Sequence, residues 1–187
     1  INLSYGKQNI DKKDIEAVTK VLESNYLTQG PIVKKFEKKL AKYAGSKYCS
    51  AVNNGTSALF LSGKALNWKK GDIVITSPLT FLASANAVIY NNAIPDFVDI
   101  NERDYNIDLN ILENKIKLYR KKNKKIKAVI GVDFAGQPCD WHNLRYLANK
   151  YNFYLINDNC HALGAGINKN KKYAIKYADI ITQSFHP

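Results

Sequence analysis

The sequence predicts an α/β domain in which helices cover both faces of a mostly parallel sheet, a three-layer αβα arrangement. Short, β-branched apolar runs alternate along the chain with segments that have a helical period. The runs are continuously apolar, which is typical of strands buried on both faces. Ligands of such sheets bind beyond the carboxyl ends of the strands, so the residues after each run are the candidates for a functional site.

The first two helices are predicted from their ends as well as from their period. A helix is expected over residues 11–24, where apolar residues recur at helical spacing and Asp11 is suited to cap the first turn. A second helix is expected over residues 31–45, with Pro31 at its first position and Gly45 as its stop.

The remaining elements follow from the same alternation. Strands are expected at residues 48–52, 73–76, 95–100, 128–134, 153–158 and 178–185. Helices are expected between them at residues 56–66, 81–90, 109–119 and 140–151. The segment 164–176, "GAGINKNKKYAIK", is expected to form an exposed excursion or hairpin.

The composition is that of a soluble globular protein, with 45% hydrophobic and 24% charged residues. No apolar run reaches the ~18 residues that a membrane span needs, and the first residues do not resemble a secretory signal. We therefore expect a cytoplasmic protein with no membrane partner. The cysteines Cys49, Cys139 and Cys160 are scattered, which argues against a disulfide framework or a zinc site, and no metal is expected.

The net charge of +12 raises the question of a nucleic-acid partner. Most of the excess is lysine, and asparagine and isoleucine are also abundant, as an AT-rich coding bias would produce. The densest basic run, "RKKNKKIK" at residues 120–127, lies between a predicted helix and a predicted strand and is interpreted as a solvated connection. No nucleic acid is expected as a partner, whereas a positive field would favour a diphosphate-bearing substrate.

The stretch "NNGTSAL" is a tight turn that enters a helix. Gly55 permits close approach of the backbone, and Thr56 and Ser57 bring hydroxyls and free N–H groups to the positive end of the helix dipole. These are the features of a phosphate-binding turn. The alternative is an ordinary capped helix after a strand.

The stretch "INDNCHALGA" places Asp158 at the end of an apolar strand. A carboxylate there is costly to bury unless it meets a cation or several donors. One functional partner is a protonated heteroaromatic nitrogen, and the alternative is a set of helix N-terminal amides. His161 lies three residues further on and is either a donor to a ligand oxygen or a structural histidine.

Two further strand ends carry candidate residues. In "SPLTF", Phe81 stands at the entry to a helix, where its ring would stack on a planar ligand or pack in the core. In "SFHP", Ser184 offers a hydroxyl for a further phosphate contact or for an ordinary strand end.

The combination and order of these motifs resemble the DegT/DnrJ/StrS-type nucleotide-sugar aminotransferases, which are fold-type I pyridoxal-phosphate enzymes. The motifs are "LTQGP", "NNGTSAL", "SPLTF", "FVDI", "YNID", "FAGQPCD", "DNCHALGA" and "SFHP". "LTQGP" together with "FAGQPCD" indicates the branch of the family that acts in pseudaminic acid biosynthesis. The resemblance implies that residues 1–187 are an incomplete large, cofactor-binding domain and that the family's smaller C-terminal domain is absent from the chain.

The resemblance also implies a role for each matching residue around pyridoxal 5'-phosphate. Gly55, Thr56 and Ser57 would hold the phosphate through the helix N-terminus, with Ser184 adding its hydroxyl. Phe81 would stack on the pyridine ring. Asp158 would pair with the pyridinium nitrogen and His161 would contact the ring's 3-oxygen, and these two are the implied catalytic residues. The residues implied to approach the sugar nucleotide are Tyr5, Asn25, Tyr26, Leu27 and Thr28.

The implied reaction is amino transfer from L-glutamate to the C4 keto group of a UDP-4-keto-6-deoxy-N-acetylhexosamine, performed by a homodimer. It requires a Schiff-base lysine, which the family places shortly after "SFHP" and therefore beyond Pro187. The chain is accordingly expected to be an incomplete aminotransferase. Two alternatives stay open: a lysine-less, dehydratase-type member with histidine at that position, and a non-catalytic truncated paralogue.

Overall fold

The computed structural model describes residues 8–186, so Tyr5, which the resemblance places near the sugar nucleotide, lies outside the described residues. The chain divides into two compact units. The N-terminal unit comprises Ile1–Ala51 with His186–Pro187, and the core unit comprises Val52–Phe185.

Both predicted helices of the N-terminal unit are confirmed. Helix α1 spans Lys12–Leu22 and is capped by Asp11, which exchanges hydrogen bonds with Asp14 in a capping box. Helix α2 spans Pro31–Ala44 and ends at Gly45, whose φ of 79° is a left-handed conformation that glycine adopts without strain.

The predicted strand at residues 48–52 is wrong. This segment belongs to no strand of the described structure, and Tyr48 is 77% exposed. The backbone N–H of Ala51 donates to Glu37 Oε1 at 2.8 Å instead of to a neighbouring strand. β-branched and aromatic residues favour a strand only where a pairing partner is present, and within the described residues this segment has none.

The core unit contains the remaining elements. Its helices are α3 (Gly55–Ala65), α4 (Ala83–Tyr90), α5 (Leu109–Lys121), α6 (Trp141–Tyr151) and α7 (Tyr173–Tyr177), with a 3₁₀ turn at Phe134–Gly136. Its strands are β1 (Ile73–Thr76), β2 (Ile94–Phe97), β3 (Ile126–Val132), β4 (Tyr154–Asp158) and β5 (Ile180–Thr182). They form one five-stranded sheet in the order β2-β1-β3-β4-β5, and every pair is parallel. The predicted parallel sheet is confirmed.

Side chains on the two faces of the sheet build two separate hydrophobic clusters. One cluster joins Val74, Ile130 and Ile156 of the strands to α3 and α4. The other joins Ile75, Val129 and Leu155 to α5, α6 and α7. Because alternate residues of a strand point to opposite faces, the two clusters show that helices cover both sides of the sheet. The predicted three-layer arrangement is confirmed.

Gly131 allows α6 to approach β3 closely. A Cβ atom at this position would stand 2.8 Å from Trp141 Cη2, a distance that side chains do not adopt. Trp141 is fully buried there and anchors the first turn of α6 under the end of β3.

The expected exposed excursion or hairpin at residues 164–176 is right only for the middle of the segment. Residues 168–172 are exposed, whereas Ala165 and Ile167 pack against the hydrophobic cluster that includes α5, α6 and α7. An antiparallel bridge between Ile167 and Asn170 makes a tight turn. The last part instead enters α7, where Tyr173 is only 2% exposed. Among the residues that the structure describes, no helix is both long and apolar enough to cross a bilayer.

Candidate active site

Asp158 is the last residue of β4 and is 4% exposed. Its carboxylate lies on the face that α3 and α4 cover. Ser84 of α4 donates its hydroxyl to Asp158 Oδ2 at 3.0 Å, and the backbone N–H of Cys160 donates to Oδ1 at 3.3 Å. These donors are a side-chain hydroxyl and a loop amide, so the expected alternative of helix N-terminal amides is wrong.

The predicted phosphate-binding turn forms the start of α3. The helix begins at Gly55, and the capping residue Asn54 accepts the N–H of Ser57 on Oδ1 at 2.8 Å. A Cβ atom on Gly55 would stand 3.2 Å from the Cβ of Ser184 and 3.3 Å from Cys160 Sγ. The turn, the residue after β5 and the loop after β4 therefore meet at this glycine.

Cys160 links the carboxylate to the turn. Its backbone holds Asp158 and its sulfur faces Gly55. Burial, followed by the negative charge of Asp158, raises the pKa of the Cys160 thiol. The thiol is therefore neutral at physiological pH and acts as a small apolar spacer beside the turn.

Phe81 lies in the loop between β1 and α4 and is 71% exposed, so it is not a core aromatic residue. Its carbonyl accepts the N–H of Ser84 at 3.0 Å. Phe81 thus stands within one helical turn of the serine that holds Asp158. An exposed ring at this place is available to a planar ligand.

His161 follows Cys160 on the loop after β4 and is exposed. Its ring centroid lies 6.1 Å from that of Phe134, and the two planes are tilted by 57°. The imidazole is accessible from solvent on the loop that leaves Asp158.

A second buried carboxylate, Asp133, was not singled out from the sequence. It follows β3 and is 0% exposed. Its Oδ1 accepts the backbone N–H of Cys139 and Trp141 Nε1, each at 2.8 Å. Its Oδ2 accepts Asn157 Nδ2 at 3.0 Å, Asn159 Nδ2 at 2.9 Å and Tyr173 Oη at 2.6 Å. Neutral donors therefore surround both oxygens of this buried carboxylate.

The negative charge of Asp133 acts on its neighbours. Burial, together with the charge of Asp133, raises the pKa of the Tyr173 hydroxyl and of the Cys139 thiol. Both groups therefore stay protonated. Tyr173 can then serve as a hydrogen-bond donor to Asp133.

The structure places the predicted cofactor residues in one unit. All of them belong to the core unit. Gly55, Thr56 and Ser57 form the first residues of α3, and Asp158 is the last residue of β4. The residues that lie outside helices and strands are Phe81, His161 and Ser184. The predicted sugar-nucleotide residues Asn25, Tyr26, Leu27 and Thr28 lie in the N-terminal unit, exposed between α1 and α2. No group of metal-ligating side chains is found among residues 8–186.

Sequence reasoning missed Ser84, Cys160 and Asp133. The pairing of Ser84 with Asp158 left no local signal, since 74 residues separate them. Asp133 did leave a signal in the sequence, because it follows an apolar run directly, as Asp158 does. The polar residues on both sides of Asp158 are a second signal.

A sequence model described as the DegT/DnrJ/EryC1/StrS aminotransferase family matches residues 8–187. The chain belongs to this family. One curated family relative is the UDP-4-amino-4,6-dideoxy-N-acetyl-beta-L-altrosamine transaminase of Campylobacter jejuni subsp. jejuni serotype O:2. It is 43% identical over 185 residues, which are 99% of this chain and 47% of that protein. The chain thus spans about half the length of the curated relatives it matches.

Solved structures of the family share the fold. Helicobacter pylori PseC, described as an aminotransferase of pseudoaminic acid biosynthesis, superposes with a TM-score of 0.84 at 30% identity, over 98% of this chain and 47% of that one. A sugar aminotransferase of Streptococcus pneumoniae in its PLP form superposes with a TM-score of 0.86 at 26% identity, over 100% of this chain and 49% of that one. The described part of the chain therefore has the fold of the family.

Proposed function

We propose that this chain forms the cofactor-binding part of a pyridoxal-phosphate-dependent aminotransferase that acts on a nucleotide sugar. The observation that carries the proposal is the buried carboxylate of Asp158, joined through Cys160 to the Gly55 turn at the start of α3. The proposed site combines this buried carboxylate with a helix N-terminus suited to a phosphate. The family match and the PLP form of the streptococcal structure support the same cofactor.

The residues of the site fit this cofactor chemically. The hydrogen bonds that the structure records to Asp158 come from neutral donors, Ser84 and Cys160. A buried carboxylate is best stabilised by a cation, and a protonated pyridine nitrogen is one. When bound, pyridoxal phosphate supplies an electron sink at the carbon that exchanges the amino group, provided that its ring nitrogen carries a proton. Asp158 has the role of holding that proton.

The start of α3 fits the phosphate. Gly55 adds no side chain where Ser184 and Cys160 already crowd the backbone, so a small anion can approach the N–H groups. Thr56 and Ser57 are half-buried at the positive end of the helix dipole and bring hydroxyls to the same place. Ser184 adds its own hydroxyl from the end of β5.

The exposed residues on the loops complete the proposed site. Phe81 would stack on the face of the pyridine ring, which would account for an exposed aromatic side chain three residues before the serine that donates to Asp158. His161 would contact the 3-oxygen of the ring. Together these two residues would orient the ring relative to Asp158.

The proposed substrates follow from the relatives. The Campylobacter transaminase and the Helicobacter enzyme both belong by name to amino-sugar chemistry, and we assign to the whole protein an amino transfer from L-glutamate to the C4 keto group of a UDP-4-keto-6-deoxy-N-acetylhexosamine. The net charge of +12 favours the diphosphate of such a substrate. Tyr5, together with the exposed Asn25, Tyr26, Leu27 and Thr28, is assigned to the sugar nucleotide. We propose a cytoplasmic homodimer as the working form.

The test uses the full-length protein with pyridoxal phosphate, L-glutamate and the UDP-4-keto sugar. The expected products are the UDP-4-amino sugar and 2-oxoglutarate in equal amounts, measured by mass spectrometry. Asp158→Asn keeps the shape of the site and removes the charge, so amino transfer should fall by about 100-fold or more, the equivalent of two pKa units at the ring nitrogen.

Two results would contradict the proposal. Elimination of water from the sugar without transfer of nitrogen would indicate the dehydratase-type activity. Full activity of Asp158→Asn would remove the role given to this carboxylate. A reaction without L-glutamate is the matched control for amino transfer.

A further inference from the structure

We infer that Asp133 is a positioning residue for Asp158. By holding the side-chain amides of Asn157 and Asn159 on one face of the sheet, it keeps the carboxylate of Asp158 on the other face. The inference rests on the proposed function of Asp158, because it explains how that carboxylate is aimed at its ligand.

The alternation of the strand end carries the argument. Successive side chains of a strand point to opposite faces. Asn157 and Asn159 both donate to Asp133 Oδ2, at 3.0 and 2.9 Å. Asp158, between them, instead meets Ser84 on the face of α3 and α4. A shift of the strand by one residue would move each side chain to the opposite face. Because Asn157 and Asn159 are both hydrogen-bonded to Asp133 Oδ2, such a shift is prevented and Asp158 stays on the other face.

Asp133 accepts hydrogen bonds from several elements, which fix the position of its side chain. Trp141 Nε1 at the start of α6 and the backbone N–H of Cys139 bind its other oxygen. Tyr173 of α7 binds the same oxygen as the two asparagines. The backbone N–H of Asp133 also donates to the carbonyl of Asp158 at 3.1 Å. Through Asp133, the end of β4 is therefore connected to the end of β3, to the start of α6 and to α7.

An amide cannot replace this carboxylate. Asparagine at position 133 would present an NH₂ group either to the donors now at Oδ1 or to those at Oδ2, so one set would lose its acceptor. Buried donors without an acceptor are strongly unfavourable. In Asp133→Asn we expect the strand end at residues 157–159 to rearrange.

The first test is a crystal structure of full-length Asp133→Asn without cofactor. The expected result is loss of the hydrogen bond between Ser84 and Asp158, which the native structure has at 3.0 Å. The second test uses pyridoxal phosphate labelled with ¹⁵N at the ring nitrogen. The pH at which this nitrogen loses its proton, followed by its chemical shift, should fall by about one unit or more in Asp133→Asn, a tenfold change in proton affinity.

The matched control is Asp179→Asn, which removes a carboxylate from the opposite end of β4. Asp179 accepts the N–H of Leu155 at 2.7 Å and pairs with Arg145 at 3.0 Å. This variant should melt at a lower temperature yet keep the ring nitrogen titration of the native protein. Comparison of the two variants separates an effect on overall stability from an effect on the position of the Asp158 carboxylate.

If Asp133→Asn does not fold, Asn157→Ala and Asn159→Ala each remove one of the two hydrogen bonds that asparagine side chains donate to Asp133 Oδ2. Each variant should lower the pH at which the ring nitrogen loses its proton. The inference is overturned if, in these variants, the position of Asp158 and the pH at which the ring nitrogen loses its proton are both unchanged. If the native protein binds pyridoxal phosphate without protonating its ring, the proposed function fails, and the crystal structure of Asp133→Asn still decides the positioning role.

Discussion

Ser84 and Asp158 are 74 residues apart in the chain and joined by a hydrogen bond of 3.0 Å between buried side chains. The bond connects the first turn of α4 to the end of β4. It places a neutral donor on a carboxylate that the fold has removed from water. A donor of this kind stabilises the ionised carboxylate, which the proposed cofactor requires.

Ser84→Ala tests the contribution of this donor. A hydrogen bond to a charged group contributes about 1.5–3 kcal/mol, so amino transfer should fall by about 10- to 100-fold. The loss should be smaller than in Asp158→Asn, because the charge remains. Steady-state kinetics of the full-length protein provide the measurement.

Thr80→Val is the matched control for Ser84→Ala. The Thr80 hydroxyl lies 2.8 Å from that of Ser84, and it is the Ser84 hydroxyl that donates to Asp158. Its removal should change the rate only a few-fold. Equal losses in the two variants would show that the neighbourhood of α4, rather than the donor on Asp158, determines the rate.

Gly55→Ala tests the close approach at the start of α3. The added Cβ would stand 3.2 Å from the Cβ of Ser184 and 3.3 Å from Cys160 Sγ, which is tighter than ordinary van der Waals contact, so these neighbours must move slightly. We expect the affinity for pyridoxal phosphate to fall by about tenfold, or 1.4 kcal/mol, as measured by fluorescence titration.

Gly166→Ala makes a comparably tight contact away from the site. Its Cβ would stand 3.2 Å from the carbonyl oxygen of Asn170, in the segment that precedes α7. This variant should bind pyridoxal phosphate as the native protein does. Native affinity in Gly55→Ala as well would count against the phosphate-binding turn.

Phe81→Ala separates binding from stability. The side chain is 71% exposed, so the free energy of unfolding should change by no more than about 0.5 kcal/mol. Loss of ring stacking should lower cofactor affinity by roughly 0.5–1.5 kcal/mol, or about 2- to 10-fold. Leu82→Ala, at the next residue and 66% exposed, is the control and should leave both quantities unchanged. A strong loss of stability in Phe81→Ala would contradict the placement of the ring.

The raised pKa values of Tyr173 and Cys139 predict a loss of stability in alkali. Their ordinary pKa values are 10.0 and 9.0, and in the folded protein burial and Asp133 raise both. Above about pH 9 the unfolded chain therefore binds fewer of these protons than the folded chain does, and the free energy of unfolding decreases as pH rises. The slope is at most about 1.4 kcal/mol per pH unit for each group.

Tyr173→Phe should be less stable at neutral pH, because it removes the donor to Asp133, and should show a shallower slope between pH 9 and 11. Chemical denaturation at a series of pH values measures both effects. A stability that stays constant up to pH 11 in the native protein would contradict the prediction.

The local parts of the fold were predictable because local chemistry decides them. Asp11 caps α1 through its own side chain, and Gly45 ends α2 in a left-handed conformation, as the residue types alone indicate. The segment 48–52 shows the limit of such reasoning. Its residues favour a strand, but a strand requires backbone groups on a neighbouring segment, and these are not encoded in its own residues.

The sequence by itself determined the layered α/β fold and the residue types that follow each strand, because apolar periodicity and turn chemistry act over a few residues. The order of its motifs indicated the family. Only the tertiary structure decided which of these residues meet: Ser84 with Asp158, Gly55 with Ser184, and Asn157 and Asn159 with Asp133. Such pairs depend on the order and register of the strands, which bring distant parts of the chain to one edge of the sheet.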